Sequence, residues 1–465
     1  MAHLLQLFKL LTIFIMCYDF GNCFQKNPID DQCLRGEPKL LIKETIIDED
    51  KLFWSACEEQ NSTSVSINLA NLNIESLPNN FINSDYVSCL DLQNNNFGST
   101  VHVSDFSKVP NLKYLNLGNT KIVLESFFSY SYYSVSQNIE TLILNNLQAF
   151  QVQEYDYTVS FDGFNTVLKF WPRKLKKLSL RNINFTDNKN FESFDFSLTK
   201  ITHLILSDNN IDVINSEFFN KFPTTLTHLF VDRCNLQSYS ASINKTASLI
   251  YLSMDSNSFS SDGCLDFDSH PDLKYLSLSN CEISSILQNT FYSNSKLINL
   301  DLSNNRLNQL SDKLFLKTIA LETLNLNNNK CSKLPKLKTL TNLKELYING
   351  NNISRLVEDS FDNLNNLEVL TLSRNYIVYI EDNAMNNLSN LRILDLSKNN
   401  IFNFEYKSSF SLQCLSLTKN YLYSMTNIQL GNTTLKYLFI DQNPVDEITP
   451  MSINYLTKDT SIIFR

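Results

Sequence analysis

The residues best placed for chemistry are His203 and His228, each one position before a leucine, with Asp232 and Asp255 a few residues further along. Imidazoles beside carboxylates are the groups that bind a transition metal or titrate at about pH 6. The sequence holds only 5 His residues, however, and no His-Glu-x-x-His, Cys-x-x-Cys, phosphate loop or nucleophile elbow. Two ligands set at an ordinary spacing read as surface placement, so neither a metal nor a cofactor is expected. The chain is read as a non-enzyme.

The same spacing supports a binding argument. His203, His228, Tyr251 and Tyr275 all precede a leucine, and Ile205 and Phe230 follow one. Side chains alternate along a strand, so these six project to the face opposite the leucines. A row of Tyr, Phe and His on an open sheet face resembles the centre of a protein interface. The six residues are the expected ligand-binding set, with Phe230 and Tyr251 expected to lie outside the leucine core. Further along, Asp301, Asn325, Asn327, Asn349 and Thr371 read as a solvated polar surface.

The elements that position these residues are repeats of Leu-x-x-Leu-x-Leu-x-x-Asn-x-Leu, clearest at Leu297–Leu307 and Leu391–Ile401. The fourth position falls at Ile67, Leu90, Leu115, Leu142, Leu178, Leu204, Leu229, Leu252, Leu276, Leu300, Leu324, Leu346, Leu370, Leu394, Leu415 and Leu438, giving 16 repeats. Leucines at the fourth and sixth positions alternate with polar residues and point inward from a short strand. One such strand cannot bury its own apolar face, but a parallel stack can. The ninth residue is usually Asn, as at Asn209, Asn257, Asn305 and Asn329, where its amide satisfies backbone groups left by a tight turn. Asn305 is therefore expected to be structural and its neighbour Asn304 simply exposed. Between Leu142 and Leu178 the repeat is longer and aromatic-rich around Tyr155 to Phe164, which reads as a local excursion.

This pattern resembles the extracellular leucine-rich repeat proteins, particularly Toll-like receptor ectodomains and secreted immune or adhesion proteins of animals. The resemblance implies an α/β solenoid, a horseshoe with a parallel concave sheet and an irregular convex side. It also implies recognition of a protein or microbial surface ligand, as in innate immunity or receptor modulation; the alternative is an adhesion or matrix protein that self-associates, which leaves a homodimer open. Related proteins close the first coil with a disulfide-bonded cap, which would assign Cys33 to Cys57, with Cys23 lost with the leader or left as an extra thiol. Cys234 and Cys281 at the asparagine position and Cys331 at an inward leucine position are expected to be free core thiols, whereas Cys89 and Cys414 would sit on the concave strand as exposed thiols or bridges.

The remaining signals concern compartment. An apolar run from Leu4 to Cys17 reads as a signal peptide over 1–23, followed by a cap over 24–63, the repeats over 64–450 and a closing segment over 451–465. No later run has 18 apolar residues, so no membrane span is expected and the protein is read as secreted. Sequons at Asn61, Asn184, Asn244, Asn352, Asn387 and Asn432 are the expected glycosylation sites. The 465 residues carry a net charge of -9, which argues against nucleic acid or an acidic membrane surface as the main partner.

Overall fold

The structure, a computed structural model, describes residues 64–463 apart from 79–80, 98–100, 125–126, 128–137, 148–170, 173, 184–195, 197–198, 212, 215–221, 241–248, 261–264, 407–410, 432–433, 447–452, 454–455 and 457–459. The chain divides into a unit over 1–40, outside these residues, and a unit over 41–465 that contains all of them. The expected leader, cap, Cys33, Cys57, the long aromatic excursion and the sequons at Asn61, Asn184, Asn244 and Asn432 therefore lie outside the described residues.

Each repeat contributes one short strand to a 17-stranded parallel sheet. Fourth-position residues pair directly across it, Leu204 with Leu229, Leu229 with Leu252 and so on through Leu415 with Leu438. A further strand, Ser461–Ile463, continues the stack by pairing Ile462 with Leu438, so part of the closing segment repeats the inward position. Behind the sheet the fourth- and sixth-position leucines form one continuous core. Phe361, Leu364 and Leu367 fill its convex half. Short parallel ladders, such as Arg355–Leu356 with Tyr379–Ile380, and 3-10 turns at Val103–Phe106 and Met425–Asn427 make up the irregular convex side, and the described residues carry little regular helix. The architecture is a mostly parallel β solenoid.

The turn after each strand explains why Asn is abundant while only 8 Gly occur. Asn305 is buried. Its Nδ2 donates to the carbonyls of Leu278, Leu302 and Ser303, and its Oδ1 accepts from the Cys281 and Ile283 amides at 3.0 Å each. Asn257, Asn329 and Asn399 repeat the arrangement. Where Cys281 replaces Asn, its thiol donates to the Met254 carbonyl at 3.1 Å, so only the donor half is kept.

The eighth position carries more than exposure. Asn304 is exposed, but its backbone is left-handed at φ 57°, as are Asn94, Asn182, Asp208, Arg233, Lys398 and Gln442 at the same place in their coils. An L residue pays a steric cost in that region, and Asn tolerates it best after Gly. Asn304 also joins a ladder, donating to Ser279 Oγ and accepting from Asn328 Nδ2.

The cysteines require a correction. Among the described cysteines no two are bonded to each other, so the disulfide expectation finds no support there; Cys234, Cys281 and Cys331 are the buried free thiols expected, and Cys414 is buried and in no disulfide. Burial pushes Cys234 up to about 12 and Cys331 up to about 11, so both stay protonated and unreactive. Cys89 is not among the free thiols, and neither it nor Cys414 is exposed as expected: both are covered by their neighbours in the sheet.

Candidate functional site on the concave face

The six expected ligand-binding residues do come together. His203 pairs with His228, His228 with Tyr251 and Tyr251 with Tyr275 in successive strands. The His203 and His228 rings stack at 4.0 Å, His228 on Tyr251 at 5.9 Å, and Tyr251 leans on Tyr275 at 6.0 Å. Ile205 and Phe230 lie alongside, with Phe230 at 5.0 Å from Tyr251.

Their exposure differs from the sequence reading. Ile205, Phe230 and Tyr251 are only 2%, 2% and 4% exposed, while His203, His228 and Tyr275 are half-buried. Parallel strands lie about 4.8 Å apart, less than the span of an aromatic side chain, so neighbours cover one another. Together with Cys89, Tyr114 and Ile143 they form a second apolar cluster, separate from the leucine core. Phe230 and Tyr251 thus stay outside the leucine core but belong to a buried one.

The histidines are held in one tautomer. Thr202 and Thr227 hydroxyls donate to the Lys176 and Thr202 carbonyls, so each accepts from the neighbouring histidine's Nδ1–H at 2.9 Å. Nε2 is left as an acceptor. Burial, and for His203 the adjacent His228, lowers the pair from the ordinary 6.5 to about 3 and about 4, so both rings are neutral at physiological pH. Asp232 and Asp255 are engaged elsewhere: Asp232 accepts from Ser253 Oγ and the Asp255 amide, and Asp255 from Ser277 Oγ and the Ser279 amide. Burial, and then the Asp232 charge, raises Asp255 to about 7. Among the described residues no group of three or more His, Cys, Asp and Glu could hold a metal.

A groove of about 700 Å³ opens beside the row. It was missed in the sequence because most of its polar lining comes from the seventh and eighth positions of several coils, with only Asn116 and Ser179 from the strands. Ile143, Ile205 and Tyr114 give it an apolar floor; Asn119, Asn145, Asn146 and Asn182 give it amides. Asn182 donates to Asn146 at 2.6 Å, and Asn146 in turn donates to Asn119. At one end Arg181 and Arg233 both bind Asp208, whose carboxyl they hold below the usual range, chiefly through the Arg233 hydrogen bond. Two guanidiniums against one carboxylate leave a local positive surplus in an acidic chain. The available signal was the appearance of Arg181 and Arg233 flanking Asp208 along otherwise amide-rich turn positions. The stretch from Asp301 to Thr371, expected to be solvated, instead buries Asn325, Asn327 and Thr371; Asn327 is tied to the next coil by accepting from the Asn349 amide at 2.6 Å.

The stacked strands, inward leucines and asparagine turns define a leucine-rich repeat solenoid, and residues 271–340 and 341–401 match the leucine rich repeat family model. Among solved structures the fold is similar to Drosophila Toll in its complex with Spatzle, with TM-score 0.62 and 19% identity over 82% of this chain. This chain spans 50% of that Toll chain. A leucine-rich repeat protein of Leptospira interrogans gives TM-score 0.58 and 21% identity, covering 88% of this chain and 98% of that one. An internalin of Listeria monocytogenes gives 0.52 and 18%, covering 76% and 95%. No curated protein matches the sequence. Among the described residues no helix is long and apolar enough to cross a membrane.

Proposed function

We propose that this is a secreted, non-catalytic recognition protein that takes a protein or microbial surface ligand on its concave face. The observation that carries the reading is the continuity of the groove with the aromatic row: Ile205 belongs to both. Such a surface offers amide and guanidinium donors at one end, neutral imidazole acceptors at the other and apolar contact between. His203, His228 and Tyr275 make the direct contacts in this reading, and Ile205, Phe230 and Tyr251 hold them in place. A complex of Toll with Spatzle, described as a hub in development and innate immunity, supports the use of this fold for ligand capture.

The test is site-resolved. A photo-crosslinking amino acid is placed at Gln93 in the groove, at Tyr275 in the row and at exposed Lys313 as a control, and each protein is irradiated in the native extracellular fluid. One common adduct at Gln93 and Tyr275 but not at Lys313 is expected. Affinity for that adducted ligand should fall at least about tenfold, roughly 1.4 kcal/mol, in Arg181→Ala. Adducts at Lys313 alone, or none at the two concave positions, would overturn the assignment.

A further inference from the structure

A second aromatic surface lies away from the concave face, just past the asparagine turn. Tyr376, Val378, Phe402, Tyr421 and Tyr423 occupy five of the six tenth and twelfth positions of three consecutive coils, Asn400 being the sixth, and are 42–58% exposed. Phe402 stacks on Tyr421 at 5.4 Å and on Tyr423 at 6.5 Å, so the rings form a platform rather than isolated side chains. The same two positions in several earlier coils are polar: Asn235 and Gln237, Ser258 and Ser260, Glu282 and Ser284, Arg306 and Asn308, Lys330 and Ser332. The change of character begins immediately after one coil, whose tenth and twelfth residues are Asn352 and Ser354, the two ends of the sequon Asn352-Ile353-Ser354.

Backbone register puts that sequon against the platform. The Tyr376 amide donates to the Ile353 carbonyl at 2.9 Å and the Val378 amide to Ser354 at 3.0 Å, and Arg355 pairs with Tyr379. Tyr376 and Val378 therefore stand one strand spacing, about 5 Å, from Asn352 and Ser354, and Tyr421 and Tyr423 about 15 Å. Asn352 is exposed, and its side-chain nitrogen makes a long 3.4 Å contact with the Lys330 carbonyl that a modification can displace.

We propose that Asn352 carries an N-linked glycan and that its inner sugars lie along this platform, the C–H faces of the pyranose rings packed on Tyr376 and Phe402. A polar covering then explains why so much aromatic surface is placed here, and why it starts where the sequon stands. The proposal rests on the secretion proposed above, since the glycan is added in the secretory pathway.

The experiment uses the full chain expressed in a eukaryotic secretory host. Glycopeptide mass spectrometry reads occupancy at Asn352, and proton NMR reads the N-acetyl methyl signals of the attached sugars. The expected result is an occupied Asn352 with an N-acetyl methyl signal moved upfield by a ring current. That shift should be lost in Tyr376→Ser with occupancy unchanged, and an apolar-surface dye should bind more strongly to Asn352→Gln than to the parent. An unoccupied Asn352 in secreted protein whose other sequons are modified overturns this proposal alone, as does an occupied Asn352 with no shift. Self-association through the platform of the fully glycosylated parent also overturns it, since a second copy would then be the occupant. Retention inside the host with no sequon modified overturns the secretion reading and this one together.

Discussion

Two aromatic rows on this molecule have similar composition and opposite surroundings. The concave row from His203 to Tyr275 is stacked between neighbouring strands and largely covered, while the lateral row from Tyr376 to Tyr423, in which Phe402 stacks on Tyr421 and Tyr423, stays open. What separates them is the company of the adjacent columns. On the concave face Ile143, Ile205 and Phe230 pack beside the row; on the lateral edge the flanking residues, such as Asn403 and Lys419, are exposed. In a solenoid, pointing away from the leucine core and being exposed are different properties.

The largest expected effect would break this contrast if it failed. Phe230→Ser should destabilise the fold by about 3 to 5 kcal/mol, because it empties a covered site, read as a lowered denaturation midpoint. A midpoint equal to the parent's would mean the concave cluster contributes nothing. Within a single turn, Asn305→Ala should cost about 3 kcal/mol by stranding several buried backbone groups, against about 1 kcal/mol for the left-handed, exposed Asn304→Ala. Equal midpoints for these two would contradict the turn geometry.

A smaller effect appears with pH. His203 and His228 have folded values below the ordinary 6.5, so their contribution is present above that pH and is lost as pH falls toward about 4 and 3. Asp255 acts oppositely: with its folded value raised to about 7, its contribution is present below the ordinary 3.8 and is lost as pH rises through 7. Urea midpoints between pH 7 and 4 should therefore decline less steeply in His203→Gln/His228→Gln than in the parent, and more steeply in Asp255→Asn. The smallest effect belongs to the lateral row: Tyr423→Ser should move the thermal midpoint by no more than the equivalent of about 0.5 kcal/mol.

The sequence was a good guide wherever one coil explains itself. The inward leucines, the asparagine of the turn and the alignment of His203, His228, Tyr251 and Tyr275 follow from a repeated pattern and from the alternation of a strand. Properties that arise between coils were harder to read. Burial of Phe230 depends on what stands in adjacent strands, and the groove is assembled from Gln93 to Arg233 across several coils. The left-handed backbone at Asn304 is hidden because Arg233, Ser256 and Lys398 fill the same position elsewhere, so residue type alone does not mark it. Cys33 and Cys57 could be paired only through resemblance, whereas the buried thiols of Cys234, Cys281 and Cys331 follow from their places in the repeat.

The ninth-position asparagines have a consequence for how the array fails. Asn305 donates to Leu278 and accepts from Cys281 and Ile283 in the preceding coil while also bonding its own, and Asn329 does the same toward Leu302 and Leu307. Each amide is thus a rivet between nearest neighbours, and the solenoid behaves as a one-dimensional chain in which coupling passes from coil to coil. Removing one rivet does not weaken every coil equally; it creates a seam. An array cut at Asn305 should come apart in two blocks under denaturant or pulling force, where the intact one unravels as a unit.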